Sequence, residues 1–108
     1  MAMLDLNVFQ EMYFDIKLFD GEVVNLPKPT QKTILKLTKL ENDIKNSGEN
    51  AELLLGSFTD LILHIFNTNK EKKKFSKAWV EENLNFTMMR AILEGYMEFA
   101  NDLTSDPN

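Results

Sequence analysis

The stretch Met12-Tyr13-Phe14-Asp15-Ile16-Lys17-Leu18-Phe19-Asp20-Gly21-Glu22-Val23-Val24-Asn25-Leu26 decides the fold. Phe14, Ile16 and Leu18 alternate with Asp15 and Lys17, the period of a half-buried strand. Asp20-Gly21 is a strong turn signal, and Glu22-Val23-Val24-Asn25-Leu26 returns as a second strand. A three-residue loop, Phe19-Asp20-Gly21, with Gly21 left-handed, sets Ile16 opposite Val24 and Phe14 opposite Leu26. That register gathers the apolar side chains on one face, so the sequence predicts a β-hairpin over residues 12–26. A lone hairpin is marginal in water and needs helices to cover it. It also leaves two open edges, which can pair with a partner.

Working outward, Pro27-Lys28-Pro29 stops the second strand, and Pro29 suits the first turn of a helix. From Thr30 to about Asn46 the apolar residues Ile34, Leu37, Leu40 and Ile44 follow helical spacing, with Leu35 widening the stripe. Lys32, Lys36, Lys39, Asp43 and Lys45 are expected in solvent. Ser47-Gly48 ends this helix, with Gly48 as its cap, and Asn50 caps the next, from Ala51 to about Asn67. That second helix is apolar on more than one face and reads as the central one, with Gly56 and Ser57 allowing close approach of a neighbour. After the polar loop 67–74, Ser76 caps a short helix to about Leu84, with Phe75 and Val80 as a hydrophobic staple. Asn85-Phe86-Thr87 breaks the chain, and a last helix runs from Met88 to about Leu103. Its clear polar stripe is Arg90, Glu94, Glu98 and Asp102, so most of its circumference should be covered. Residues 104–108 read as a frayed end. The expected class is α+β, mainly α: an N-terminal hairpin and about four helices packed as a small bundle, in one domain over residues 1–108.

Composition narrows the chemistry. The 108 residues hold no cysteine and one histidine, with 44% hydrophobic and 27% charged residues. A disulfide scaffold, a thiol nucleophile and a Cys-based metal centre are thereby excluded. His64, with Asp60 one helical turn earlier, is the obvious catalytic candidate. No serine stands in a strand-to-helix elbow to serve it, so the pair reads as structural. Glu81-Glu82 and Glu94/Glu98 read as solvated carboxylates, although the second pair could face a basic partner. Gly21, Gly48, Gly56 and Gly95 stand isolated and make no phosphate loop. Gly95 lies inside a helix, where glycine costs up to about 1 kcal/mol against alanine; close packing of another helix is expected there. The residues therefore lead to a non-enzymatic protein without catalytic residues, cofactor or metal.

The formal charge of −5 argues against nucleic acid as the default partner. Residues 1–27 carry −4 and residues 28–77 carry +4, so the chain is bipolar. Lys70, Lys72, Lys73, Lys74 and Lys77 form a basic loop, either solvated or docking on an acidic surface. Phe75 and Trp79 stand nearby but are needed for the staple and the core. Met88, Met89, Tyr96, Met97 and Phe99 either fill the core or form an apolar patch suited to self-association or capture of an apolar segment. Met1 to Asn7 make no secretory signal and no apolar stretch is long enough for a membrane span, so the expected location is cytoplasmic.

The strand pair Phe14-Asp15-Ile16-Lys17-Leu18-Phe19-Asp20-Gly21-Glu22-Val23, the Pro27-Lys28-Pro29-Thr30 lead into helices and the acidic helical C-terminal half resemble the small tail assembly chaperones of long-tailed bacteriophages and prophages. The similarity runs from roughly Met12 to Leu103 and carries no catalytic or ligand signature. It implies a protein of the bacterial host's cytoplasm, encoded near the tape-measure gene. Such a protein binds the long helical tape-measure protein, keeps it soluble until major tail protein polymerises around it, and self-associates; a frameshifted longer form often exists. The alternative is a small phage or bacterial regulator docking on nucleic acid or an acidic protein through its lysine loop.

Overall fold

The computed structural model describes residues 2–6, 12–46, 48 and 50–101. Strand β1 (Tyr13–Lys17) pairs antiparallel with β2 (Val23–Pro27), Phe14 opposite Leu26 and Ile16 opposite Val24. The loop follows from local chemistry. Leu18 N–H donates to Glu22 O at 2.7 Å, Gly21 N–H donates to Leu18 O at 3.0 Å, and Gly21 has φ +88°. A side chain at that φ would be strained, so glycine fixes both the turn and the register. Val24 and Leu26 are buried, and Phe14, Ile16 and Leu18 are half-buried on the same face.

Four helices follow: α1 (Gln31–Asn46), α2 (Ala51–Phe66), α3 (Lys77–Asn83) and α4 (Phe86–Asn101). Their ends are set by side chains that satisfy orphan N–H groups. Thr30 precedes α1 and accepts from Thr33 N–H, so Pro29 stands ahead of the cap and not within the first turn. Asn50 Oδ1 accepts from Leu53 N–H at 3.0 Å, and Ser76 Oγ accepts from Trp79 N–H at 3.0 Å. The staple residues Phe75 and Val80 are both buried. Asn85 Oδ1 accepts from Met88 N–H at 2.8 Å. Asn85 is therefore a cap, and α4 begins at Phe86, two residues before the expected start. Gly48 has φ +62°, as a stop after α1 requires; Ser47 and the expected extension of α4 to Leu103 lie outside the described residues, as does the tail 104–108.

α2 is the hub. It packs against α1, α3, α4 and β2, while α4 also covers β1. Phe58, Leu61, Ile62, Ile65 and Phe66 of α2 are buried together with Val80, Leu84, Met89, Leu93 and Tyr96. The outer helices are barer than their patterns predict. On α1 only Thr33 and Leu40 are buried, and Ile34, Leu35 and Ile44 are exposed. On α4 only Met89, Leu93 and Tyr96 are buried, so most of its circumference is not covered. A Cβ at Gly56 would meet nothing within 4 Å, so no neighbour packs closely there, whereas Ser57 Oγ reaches across to Asp43 Oδ2 at 2.8 Å. Asp43 thus joins α1 to α2 and is not simply solvated. At Gly95 the close neighbour is a ring of β1, not a helix: a Cβ there would stand 2.7 Å from Phe14 Cζ. No helix among the described residues is long and apolar enough to cross a membrane.

Candidate functional site

α1 and α4 both lie on α2 but make little contact with each other. A groove of about 420 Å³ is left between them. Leu37 and Leu40 come from α1, Leu54 and Phe58 from α2, and Phe86, Leu93 and Met97 from α4. The spacing Phe86, Arg90, Leu93, Met97 places one ridge of α4 along the groove. Phe58 forms its floor, packed edge-on by Phe86 with ring centroids 5.0 Å apart. Phe86 is 39% exposed and Met97 37%, so the walls offer apolar surface to solvent. Glu41, Arg90 and Glu94 line the same groove. Arg90 Nε and Glu94 Oε2 lie 3.2 Å apart, an exposed pair one helical turn apart on α4, which contributes only a few tenths of a kcal/mol.

Of the expected partner-binding residues, Met97 and Glu94 line this groove. Met88 and Glu98 are exposed on α4 outside its lining. Met89 and Tyr96 are 3% and 1% exposed and belong to the core, not to an exposed patch. Burial pushes the Tyr96 phenol up to about 12. Phe99 is half-buried: its ring stacks on Phe14 at 5.9 Å, and the Lys28 ammonium lies 4.0 Å from its centroid. The sequence pattern does not point to Phe86 or to the α1 wall. The one local clue to Phe86 is Asn85, a good cap three residues before Met88.

The basic loop is a built structure and not only a solvated one. Asn69 is 5% exposed. Its amide donates to Phe66 O and Lys73 O at 2.7 and 2.6 Å, and its Oδ1 accepts from Lys73 N–H at 2.9 Å. Asn67 brackets Phe75 in the same way, and Lys70 N–H donates to Asn25 O of β2 at 2.9 Å. Lys72 adopts φ +59° at the bend. Lys70, Lys72, Lys73 and Lys74 line a depression beside Tyr13, whereas Lys77, the first residue of α3, is not part of that lining. The Lys73 ammonium pairs with the Glu22 carboxylate, and the Lys70 ammonium sits 5.2 Å from the Tyr13 ring centroid.

His64 meets Thr33, not Asp60: its Nε2 lies 2.8 Å from Thr33 Oγ1, which ties α2 to α1. Partial burial, aided by the charges of Lys36 and Lys32, lowers its pKa below 6.5. The Ser57 hydroxyl and the Lys39 ammonium lower that of Asp43. Glu81 and Glu82 are exposed. Among the described residues no three His, Asp or Glu side chains gather as a metal site would need. No known protein family, characterised protein or solved structure matches the chain.

Proposed function

We propose that this protein is a non-enzymatic tail assembly chaperone of the phage type, which binds the tape-measure protein and assists tail tube assembly in the host cytoplasm. The observation that carries this is the apolar groove on the central helix, open between α1 and α4 and bordered by Glu41, Arg90 and Glu94. A cleft walled by helices, apolar inside and charged at its margins, suits the apolar face of an amphipathic client helix. The charged margin adds specificity more than affinity. A long helical client would otherwise expose many such faces and aggregate before major tail protein encloses it.

Co-expression with a tape-measure fragment tests this. The fragment is expected to stay soluble with the wild-type chain and to precipitate with Met97→Asp, while Met97→Leu behaves like wild type. Unchanged fragment solubility in the presence of the wild-type chain would count heavily against the chaperone. The built loop with Lys70, Lys72 and Lys74 beside Tyr13 supports a second reading, a regulator docking on nucleic acid or an acidic protein. Steeply salt-dependent DNA binding, lost in Lys72→Glu/Lys74→Glu, is what that reading requires.

A further inference from the structure

The two edges of the hairpin are unlike. In an antiparallel pair, alternate residues turn their N–H and C=O groups toward the partner strand and the others turn them outward. Leu18 bonds to Glu22 across the pair, so Phe14, Ile16 and Leu18 face β2 while Tyr13, Asp15 and Lys17 face out. The corresponding outward residues of β2 are Val23, Asn25 and Pro27. That edge is blocked at its middle and end: Asn25 O accepts from Lys70 N–H, and Pro27 has no N–H to offer. Among the described residues nothing pairs with the outer edge of β1. Asp15 and Lys17 are both exposed there, and Lys17 has no ion-pair partner among the described residues.

We propose that the outer edge of β1 pairs antiparallel with β1 of a second copy, centred on Ile16, to make a continuous four-stranded sheet. Within Tyr13–Lys17, charge favours this register. Centring on Asp15 or on Lys17 sets like charges directly opposite each other, which destabilises a strand pair. Centring on Phe14 matches Tyr13 with Asp15 and leaves Lys17 beyond the paired part of β1. Centring on Ile16 sets Asp15 of each copy opposite Lys17 of the other, twice by symmetry, as a self-complementary two-fold interface demands. Asp15 is pre-oriented for this, since its Oδ1 already accepts from Asn25 Nδ2 at 2.6 Å on the neighbouring strand, leaving the other carboxylate oxygen for Lys17. The same register sets Phe14 opposite Leu18 on the apolar face and brings the 62% exposed Phe19 beside Tyr13. About four backbone hydrogen bonds close the edge that is otherwise open to aggregation. The pairing is independent of what occupies the groove.

Sedimentation velocity over a range of concentrations, with hydrogen exchange of the Asp15 and Lys17 amides, tests it on the full chain. The wild type is expected to form a dimer in which those amides are protected. Asp15→Lys and Lys17→Asp should each weaken the dimer about tenfold by replacing two opposite-charge contacts with two like-charge ones. The double swap Asp15→Lys/Lys17→Asp restores complementarity and should recover the dimer. A monomer at every concentration, or an oligomer indifferent to the single reversals, overturns the proposal while leaving the groove's client untouched. Failure of the double swap to recover a dimer lost in both single variants overturns the register.

Discussion

Gly95 and His64 show how one side chain's meaning depends on what lies across from it. At Gly95 the Phe14 ring occupies the space a Cβ would need, and that ring is held by Phe99 and by Tyr96, 6.4 Å away edge-on. Gly95→Ala gains helix propensity but overpacks the contact, for an expected net loss of about 1 kcal/mol in urea unfolding. In a Phe14→Leu background the same change should become neutral or stabilising, and an additive pair of effects would remove the explanation. His64 is favoured neutral in the fold because its pKa lies below the unfolded value of 6.5. Its contribution is therefore complete above pH 6.5 and is lost as the pH falls from 6.5 through the lowered folded value. Thermal unfolding at pH 7.5, 6.5 and 5.5 should show the wild type losing more Tm on acidification than His64→Gln, whose remaining slope comes from carboxylates.

Loops and helix ends obey the same accounting of backbone donors and acceptors. Asn69 satisfies three main-chain groups from a buried position. Asn69→Ala should cost about 2 kcal/mol, read by denaturant unfolding, because it leaves those groups unpaired under the loop. A loss no larger than that of an exposed control such as Lys74→Ala would mean that water replaces the amide. The hairpin register, the caps at Asn50 and Ser76 and the staple of Phe75 with Val80 are legible in the sequence because each rests on residues within a few positions of one another. The start of α4 is equally local, yet Asn85-Phe86-Thr87 reads as a break unless Asn85 is recognised as the cap of α4. The scaffold of the 67–74 loop is not legible. Its partners include Asn25 O, reached only once β2 is folded beside it.

For the protein as one body, the question is which apolar faces find cover. Met97→Asp should change stability by less than about 1 kcal/mol, since the side chain is 37% exposed and stands outside the buried cluster. Loss of client solubilisation by that variant without loss of fold separates a binding groove from a packing defect; far-UV circular dichroism and thermal unfolding check the fold. The expected patch divides between surface and core: Met97 and Glu94 line the groove and Met88 and Glu98 are exposed, while Met89, Tyr96 and Phe99 serve the interior. The order of elements, the hairpin pairing and the caps at Asn50 and Ser76 lie in the sequence alone, since these depend on dihedral preference and on hydrogen bonds between near neighbours. Tertiary structure alone decided that α1 and α4 would flank α2 without closing on each other, and so which apolar residues stay in water. Periodicity marks the face a helix can bury, but burial needs a second surface to meet it, and among the described residues the chain supplies none to cover the groove.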